Sequence, residues 1–257
     1  GGAGRLAARG ALRIGAGVVT VGCPPDAIPE NAARLDAVML RVVGDGAALD
    51  EALADKRISA LCLGPGLGTD ERAAGLVAAA LGGGERTGEL RPMVLDADAL
   101  TILARDSELF GRLHGACVLT PHAGEFARLF PDIAEKLSAP ATKGPAYSKV
   151  DATREAAKRA GCVVLFKGPD TVIADPSGRC AINSAHYERA APWLATAGSG
   201  DVLAGFITGL LARGFRPMEA AETGAWLHVE CARKFGPGLI AEDLPEQLPA
   251  VFRDLGV

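Results

Sequence analysis

Four consecutive residues, Gly198-Ser199-Gly200-Asp201, place small side chains and a single carboxylate directly before an apolar helical pattern. Glycines allow a phosphate to come close to the main chain, and the free N–H groups at a helix N-terminus bind anions. A carboxylate beside a phosphate site repels the ligand unless it takes part in the chemistry, for example as a general base. Asp201 can equally be a residue that caps the helix, as aspartate often does. The motif alone leaves the two interpretations evenly balanced.

Two further segments place glycine or aspartate after a short apolar run. Residues 64–68 (Gly-Pro-Gly-Leu-Gly) follow the run 60–63, and their spacing differs from that of the dinucleotide-binding fingerprint. A tight structural turn explains this loop as well as a ligand-binding loop does. Asp96 and Asp98 follow the run 93–95. Helix capping explains at least one of these carboxylates, and a polar contact in a site explains the other.

Histidine, glutamate and lysine occur in two more segments of this kind. His122 and Glu125 lie three residues apart at the start of a predicted helix, hence on one face of it. Taken alone, His122 is more often a hydrogen-bonded structural residue than a functional one, and a capping role suits Glu125. Lys167 ends the run 163–166 and is followed by glycine. It is either an exposed lysine or a phosphate contact.

These segments are positioned by strands and helices that alternate through most of the chain. Apolar runs predict strands at 18–21, 39–43, 60–63, 93–95, 116–120, 163–166, 171–174 and 179–183. Helical patterns predict helices at 5–14, 47–56, 70–81, 152–160, 201–212, 217–235 and 244–255, with two more that begin near residues 98 and 122. Segment 82–91 is predicted to be a surface loop, and segment 131–148 a loop or a partly helical stretch.

The alternation predicts a three-layer α/β domain whose central sheet is mostly parallel, with helices on both faces and an antiparallel edge. The carboxyl ends of parallel strands share one rim, so loops that follow strands should converge there. We expect this of five loops: residues 64–68, 96–98, 122–125, 167–171 and 198–201. No repeat or linker divides the chain, which predicts one domain over residues 1–257. The chain opens on a helix with no strand before it, which predicts an upstream segment.

Composition excludes several classes of function. The 257 residues are 49% hydrophobic, enough for a core, and the net charge of −4 with no basic run argues against nucleic acid as a partner. No apolar run reaches the ~18 residues of a membrane span, and the first residues lack the apolar stretch of a signal peptide. The six cysteines are scattered, mostly among apolar residues, which predicts buried reduced thiols rather than disulfides or zinc ligands. We expect a soluble, cytoplasmic enzyme.

Several of these segments match the motifs of one family. They are Gly-Ala-Gly-x-Val-Thr-Val at 15–21, Gly-Pro-Gly-Leu-Gly at 64–68, Leu-Asp-Ala-Asp-Ala-Leu at 95–100, Thr-Pro-His-Ala-Gly-Glu at 120–125, Lys-Gly-x-x-Thr at 167–171 and Ala-Gly-Ser-Gly-Asp-Val-Leu-Ala-Gly at 197–205. Over nearly its whole length the chain resembles the ADP- or ATP-dependent NAD(P)H-hydrate dehydratases of the ribokinase-like superfamily. The last motif identifies only the superfamily. His122 is more specific, because sugar and vitamin kinases of this fold usually have asparagine there.

The resemblance implies a role for each matching residue. Ala3, Gly66 and His122 would contact the hydrated nicotinamide cofactor, and Asp201 would be the base at its hydroxyl group. Glu125 would be the protein group nearest to Mg²⁺, through water. The adenine nucleotide would be bound by Lys167, Gly168, Pro169, Asp170 and Thr171, with Gly198, Ser199 and Gly200 at its phosphates.

The resemblance also implies the reaction. The S-epimer of hydrated NADH or NADPH would be phosphorylated on its hydroxyl group and would then lose phosphate, which restores the nicotinamide. ADP is the usual donor in bacterial members and ATP in eukaryotic ones, and the Ala-, Gly- and Arg-rich composition favours ADP. The implied partners are NADHX or NADPHX, a homo-oligomer of four or more copies, and an NAD(P)H-hydrate epimerase that is fused or separate.

The chain departs from the family pattern at its start and has two rival interpretations. Family members begin with a strand and a Gly-rich loop that would precede residue 1, so the first strand and any epimerase domain are expected upstream. The first rival is a small-molecule kinase of the same fold, of the hydroxymethylpyrimidine or hydroxyethylthiazole type. The second is a non-enzymatic adenine-nucleotide sensor. Both would keep the glycines before Asp201, but neither would dehydrate the cofactor.

Overall fold

The computed structural model describes residues 1–83, 90–140 and 146–257, and these residues contain two sheets. The strands are β1 (Thr20–Cys23), β2 (Met39–Val42), β3 (Leu61–Leu63), β4 (Met93–Leu95), β5 (Cys117–Leu119), β6 (Val163–Phe166), β7 (Asp170–Ala174) and β8 (Cys180–Ser184). Strands β3 to β8 form a six-stranded sheet in that spatial order, parallel from β3 to β6 and antiparallel at β7 and β8. The predicted parallel sheet with an antiparallel edge is confirmed.

The helices alternate with these strands. They are α1 (Gly2–Arg13), α2 (Ile28–Ala32), α3 (Gly46–Leu53), α4 (Glu71–Leu81), α5 (Asp98–Arg105), α6 (Ser107–Gly111), α7 (Ala123–Leu129), α8 (Pro131–Ser138), α9 (Lys149–Ala160), α10 (Ser199–Ala212), α11 (Pro217–Phe235) and α12 (Asp243–Leu255). Helix α8 falls in the segment predicted to be a loop or partly helical. Of the surface loop predicted at 82–91, residues 84–89 lie outside the described residues.

Apolar side chains pack on both faces of the six-stranded sheet, which gives three layers. Neighbouring residues of a strand point to opposite faces. Val94 of β4 therefore packs in the core with helices α10 and α11, whereas Leu95 packs in the core with α4, α5 and α9. The predicted three-layer α/β architecture is confirmed.

Strands β1 and β2 form a separate, parallel two-stranded sheet. The prediction of a buried strand at 18–21 was wrong in two respects. The strand covers Thr20–Cys23, and of its residues only Cys23 is buried; Val18, just before it, is 71% exposed. The reason is that β1 lies outside the six-stranded sheet and does not share its two covered faces.

Helices α1 and α10 approach each other closely because glycines remove side chains from their interface. A Cβ atom on Gly209 would lie 2.7 Å from the Ala11 carbonyl oxygen, and one on Gly205 would overlap the Ala7 carbonyl oxygen. These positions tolerate no side chain at the present spacing. The contact fixes the start of α1 relative to the start of α10.

All six cysteines are free thiols, and the prediction that they are buried is confirmed for four of them, whereas Cys62 and Cys180 are partly buried. Burial raises the pKa of the Cys62, Cys117 and Cys231 thiols to about 12, so these groups stay protonated. Among the described helices, none has the length and apolar character needed to cross a bilayer.

Candidate active site

Lys167 brings three of the predicted loops together. Its Nζ atom lies 2.8 Å from Oδ1 of Asp96 and 3.8 Å from Oε2 of Glu125. It also lies 3.4 Å from the position that a Cβ atom on Gly200 would occupy. The loops after β4, β5 and β6 therefore meet the N-terminus of α10, as predicted. Lys167 is largely buried and ion-paired, which rules out the interpretation of an exposed surface lysine.

The loop at 198–201 lies at this site, but the element that precedes it is not the predicted one. It does not follow a strand of the sheet, since the 3₁₀ turn Pro192–Leu194 stands between it and β8. Gly198 is the N-cap residue of α10, with a left-handed φ of 87°. The prediction of five loops that follow strands was therefore wrong for this one, although the convergence itself is confirmed.

Asp201 is the third residue of α10 and has no hydrogen-bond donor among the described residues. Its carboxylate does not cap the helix, so the capping interpretation is wrong. Burial raises the pKa of Asp201 to about 6; the Asp96 carboxylate adds to this, Lys167 opposes it, and Asp98 and Glu125 add smaller contributions. A half-buried carboxylate with no donor and a raised pKa is suited to accept a proton near neutral pH.

The first turn of α10 offers main-chain donors beside this carboxylate. The Ser199 N–H donates to the Thr196 carbonyl at 3.4 Å, whereas the N–H groups of Gly200 and Asp201 have no acceptor within the described part of the chain. The Ser199 hydroxyl donates to the Leu194 carbonyl at 2.7 Å, so it stabilises the turn. Two free amides at the positive end of a helix form an anion site.

His228 supports this turn and was not predicted from the sequence. This buried residue of α11 has its Nε2 atom 2.9 Å from the Ser199 carbonyl oxygen. Burial lowers the pKa of His228 to about 4, so the ring is neutral and donates through Nε2 to that carbonyl. No motif in the sequence marks His228, because it lies 29 residues from its partner.

Asp96 and Asp98 hold neighbouring loops and cap no helix. Asp96 is 1% exposed and accepts hydrogen bonds from the Thr120 hydroxyl and the Lys167 ammonium, both at 2.8 Å. Asp98 accepts one from the Gly68 N–H at 2.8 Å. The N-cap position of α5 belongs to Ala97, so the expectation that capping explains one aspartate was wrong. Both carboxylates are used to fix loop positions at the site.

The loop at 64–68 is a tight turn that also lies against the start of α1. Gly64 has a φ of 124°, and a Cβ atom there would overlap the Asp96 carbonyl oxygen. A Cβ atom on Gly66 would lie 3.6 Å from that of Ala3. Ala3 and Gly66, which were predicted to share a contact with the substrate, are therefore neighbours.

His122 and Glu125 form a reciprocal capping box at the start of α7. Nδ1 of His122 accepts from the N–H groups of Gly124 (3.0 Å) and Glu125 (3.4 Å), and Glu125 Oε2 accepts from the His122 N–H at 2.8 Å. Since Nδ1 is an acceptor, Nε2 carries the proton. The predicted capping role of Glu125 is confirmed. The His122 side chain is 56% exposed, so its ring remains available to a ligand.

Gly168 and Pro169, in the loop between β6 and β7, and Asp170 and Thr171, which begin β7, are held from several sides. Pro169 O accepts from the Ala185 N–H at 2.8 Å, and Gly168 O accepts from the Thr171 hydroxyl at 3.0 Å. The Asp170 carboxylate accepts from the Ser184 hydroxyl at 2.7 Å. A further lysine, Lys149, lies beneath this loop and was not predicted from the sequence.

The carboxylates of the site suit a metal ion that is held mainly by other ligands. Among the described residues, no group of three or more His, Cys, Asp or Glu side chains is arranged to hold a metal. Mg²⁺ keeps several water ligands and is usually bound by one or two carboxylates together with substrate phosphates. Glu125 and Asp98, whose charges both act on Asp201, fit that limited role.

Comparison with known proteins gives a consistent result. The family model described as NAD(P)H-hydrate dehydratase matches residues 1–249. The chain is 38% identical over 265 residues to the bifunctional NAD(P)H-hydrate repair enzyme Nnr of Moorella thermoacetica, with 97% of this chain and 46% of that protein covered. It is 39% identical over 232 residues to the ADP-dependent (S)-NAD(P)H-hydrate dehydratase of Neisseria meningitidis serogroup B, with 87% and 69% covered.

A solved structure of the same kind aligns with almost the whole chain. It is the ADP/ATP-dependent NAD(P)H-hydrate dehydratase from Bacillus subtilis, co-crystallised with ATP/Mg²⁺ and soaked with CoA. Its TM-score is 0.73 at 27% identity, and the alignment covers 98% of this chain and 87% of that one. The chain spans about half the length, or less, of the bifunctional relatives that it matches.

Proposed function

Since the chain belongs to the NAD(P)H-hydrate dehydratase family, we propose that it catalyses the nucleotide-dependent dehydration of the S-epimer of hydrated NADH and NADPH. One observation carries this proposal. Among the described residues, Asp201 has no hydrogen-bond donor and lies beside two amides without an acceptor at the N-terminus of α10, and its pKa is raised to about 6. A general base next to an anion site is the arrangement that phosphoryl transfer to a hydroxyl group needs.

In the proposed reaction, Asp201 accepts the proton of the substrate hydroxyl group while the oxygen of that hydroxyl group attacks the terminal phosphorus of the nucleotide. The bond from that phosphorus to the bridging oxygen breaks, so ADP leaves as AMP. The amides of Gly200 and Asp201 stabilise the charge on the transferring group. The ring nitrogen lone pair then expels phosphate, and loss of a ring proton restores NADH or NADPH. The oxidation state of the cofactor does not change.

The proposed binding roles follow the geometry of the loops. Ala3 and Gly66, which are neighbours, face the hydrated nicotinamide, together with the exposed His122 ring. Residues Lys167, Gly168, Pro169, Asp170 and Thr171 bind the adenine nucleotide, with Gly198, Ser199 and Gly200 at its phosphates. The role of Ser199 is through its main chain, because its hydroxyl is bound to the Leu194 carbonyl.

We propose Mg²⁺ as the cofactor and Glu125 as the protein group that holds it through water. One oxygen of Glu125 accepts from the His122 N–H, and the other lies 3.5 Å from His122 Nε2. Bound metal would neutralise phosphate charge in a site that has several carboxylates and the Lys167 ammonium. The ATP/Mg²⁺ complex of the Bacillus subtilis relative supports this proposal.

ADP is the proposed donor, with ATP as the alternative. The Neisseria meningitidis relative is named as ADP-dependent, and that from Bacillus subtilis as ADP/ATP-dependent. The bifunctional names of the longer relatives support an epimerase partner, fused or separate. The single domain, the upstream strand, the cytoplasmic location and the homo-oligomer stay predictions.

A cofactor-repair assay tests the proposal. Purified protein is incubated with hydrated NADH, Mg²⁺ and either ADP or ATP, and NADH absorbance and released inorganic phosphate are followed together. We expect both to rise in equal amounts. Neither signal with either donor would overturn the proposal, and a stable phosphorylated product without NADH would favour the small-molecule kinase.

Two variants, measured in that assay, test whether Asp201 is the base. Asp201→Asn should abolish turnover while ADP still binds, and an unchanged rate would exclude Asp201 as the base. Asp45→Asn is the matched control, because Asp45 caps α3 at the Ala48 N–H and asparagine caps equally well. It should turn over at the wild-type rate. Binding of ADP by wild type without turnover of the hydrated cofactor would favour the nucleotide sensor.

A further inference from the structure

Lys149, the first residue of α9, places its ammonium group directly under the loop between β6 and β7. Nζ donates a hydrogen bond to the Lys167 carbonyl at 3.1 Å and another to the Asp170 carbonyl at 2.6 Å. It also lies 4.3 Å from the centre of the Phe166 ring. One cation therefore contacts residues on both sides of Gly168.

The space around this ammonium is closely fitted. A Cβ atom on Gly168 would lie 2.7 Å from Nζ, so the glycine leaves room for the cation. Burial lowers the pKa of Lys149 to about 8, with the Asp170 carboxylate acting in the opposite direction. A half-buried cation is stable only if hydrogen bonds and electrostatic contacts replace its lost hydration. The two carbonyls and the face of Phe166 supply them.

With these contacts, every main-chain carbonyl of residues 167–170 accepts a hydrogen bond. Lys149 binds the carbonyls of Lys167 and Asp170, the Thr171 hydroxyl binds that of Gly168, and the Ala185 N–H binds that of Pro169. Carbonyl oxygens carry partial negative charge, and a polyphosphate avoids them. With all four carbonyls held by donors of the protein, the loop can face an anion without rearranging.

Lys149 also fixes the main-chain position of Lys167, from which the Lys167 side chain extends. The Lys167 N–H donates to the Pro121 carbonyl at 2.9 Å, its carbonyl accepts from Lys149, and its own ammonium lies against Asp96. Both main-chain polar groups of Lys167 are therefore anchored. Without Lys149, the carbonyl side would lose its partner.

We infer that Lys149 is a positioning residue for nucleotide binding, which holds the Lys167–Asp170 turn in the conformation that receives the adenine nucleotide and contributes a positive charge beneath it. This inference rests on the proposed function. Since Lys149 acts through the loop, its loss should weaken nucleotide binding more than it slows the chemical step.

The test compares Lys149→Met with Lys136→Met. Methionine is unbranched and only one atom shorter than lysine, and it removes the charge and the donors. Lys136 is the matched control, because it also binds α9, through Glu155 at 2.9 Å, but does not touch the loop. ADP affinity is measured by calorimetry with Mg²⁺, and kcat and the KM for hydrated NADH are measured at saturating ADP.

We expect Lys149→Met to bind ADP about tenfold more weakly, as loss of hydrogen bonds from a charged donor would give. Its KM for hydrated NADH should stay within about twofold of wild type, and Lys136→Met should match wild type throughout. Amide hydrogen exchange should be faster at residues 167–171 in Lys149→Met than in Lys136→Met.

Equal ADP affinity in wild type and Lys149→Met would overturn the inference, as would a loss of kcat at saturating ADP with no change in affinity. If Lys149→Met does not fold, Lys149→Gln is measured by the same criterion. If wild type binds neither ADP nor ATP, the proposed function itself fails. If wild type binds ADP but does not dehydrate the cofactor, that function also fails, while the affinity comparison still decides the role of Lys149.

Discussion

The ammonium of Lys167 and the carboxylate of Asp96 form a 2.8 Å ion pair at the carboxyl ends of two parallel strands. Asp96 is almost fully buried, and its other donor is the neutral Thr120 hydroxyl. The pair therefore balances the charge of Asp96 in the interior. It also ties the loop between β6 and β7 to the turn that leads into α5.

Lys167→Met should destabilise the protein more than Asp96→Asn does. The first change leaves a buried carboxylate without its cation, which costs about 3 kcal/mol. The second removes the charge but keeps an oxygen for the Thr120 hydroxyl, which costs about 1 kcal/mol. Urea unfolding of both variants gives the two free energies. Equal losses would mean that the ion pair does not hold the Asp96 charge.

The activity of the enzyme should rise with pH through about 6. Asp201 must be ionised to accept a proton, and its pKa is raised to about 6, so kcat/KM should fall about tenfold per pH unit below that value. Asp98→Asn keeps an oxygen for the Gly68 N–H but removes a charge that raises the pKa of Asp201. In this variant the acidic limb of the profile should move to lower pH. A limb that stays in place would exclude Asp201 as the titrating group.

Asp201→Asn should be more stable than wild type at high pH. The pKa of Asp201 is higher in the folded protein than in the unfolded chain, so its ionisation opposes folding above pH 6, and this cost disappears as the pH falls towards 4. Because the carboxylate is only half-buried, we expect a gain of about 1 kcal/mol at pH 8. Thermal unfolding at pH 8 and pH 4 measures the difference, which should vanish at the lower pH.

His122→Asn should separate the cap from the contact with substrate. Asparagine caps a helix well, so α7 should keep its start, whereas the exposed ring is lost. We expect the KM for hydrated NADH to rise about tenfold with little change in the melting temperature. His122→Ala, which loses the cap as well, should unfold about 1 kcal/mol more easily. An unchanged KM in both variants would leave His122 with a structural role alone.

Gly64→Ala should be far more damaging than Gly68→Ala. Both glycines have positive φ angles, 124° and 83°, but only a Cβ atom on Gly64 meets another group, the Asp96 carbonyl oxygen. We expect a loss of at least about 3 kcal/mol for Gly64→Ala and about 1 kcal/mol for Gly68→Ala. Denaturation of both proteins decides this. Equal effects would mean that backbone conformation alone accounts for the glycine at 64.

The predictable parts of the site are those where a polar or charged residue stands at or near the end of an apolar run in the sequence. Asp96 and Lys167 come directly after an apolar strand, and His122 comes three residues after one. A parallel sheet brings such residues to one edge. Lys149 and His228 were not predictable, because each lies on a helix 18 or more residues from the main-chain group that it binds. Nothing in the local pattern distinguishes them from other polar residues of a helix.

The errors have physical causes of the same kind. The exposed strand β1 has the apolar run of a buried strand, and only the sheet to which it belongs decides its burial. The two aspartates at 96 and 98 have the spacing of capping residues, but hydrogen bonds from Lys167 and Gly68 take their oxygens. Tertiary contacts thus decided between interpretations that the sequence left equal.

The close contact of α1 and α10 makes the site sensitive to changes at positions that no ligand would reach. Ala3 lies in the first turn of α1 and Asp201 in the first turn of α10, so the distance between the proposed substrate contact and the proposed base is set by residues further along both helices. At Gly205 and Gly209 that distance depends on the absence of two methyl groups. Variants that enlarge either residue would lose activity with every binding residue intact. Substitutions that inactivate the protein should therefore occur at the interface of α1 and α10 as well as in the loops of the site.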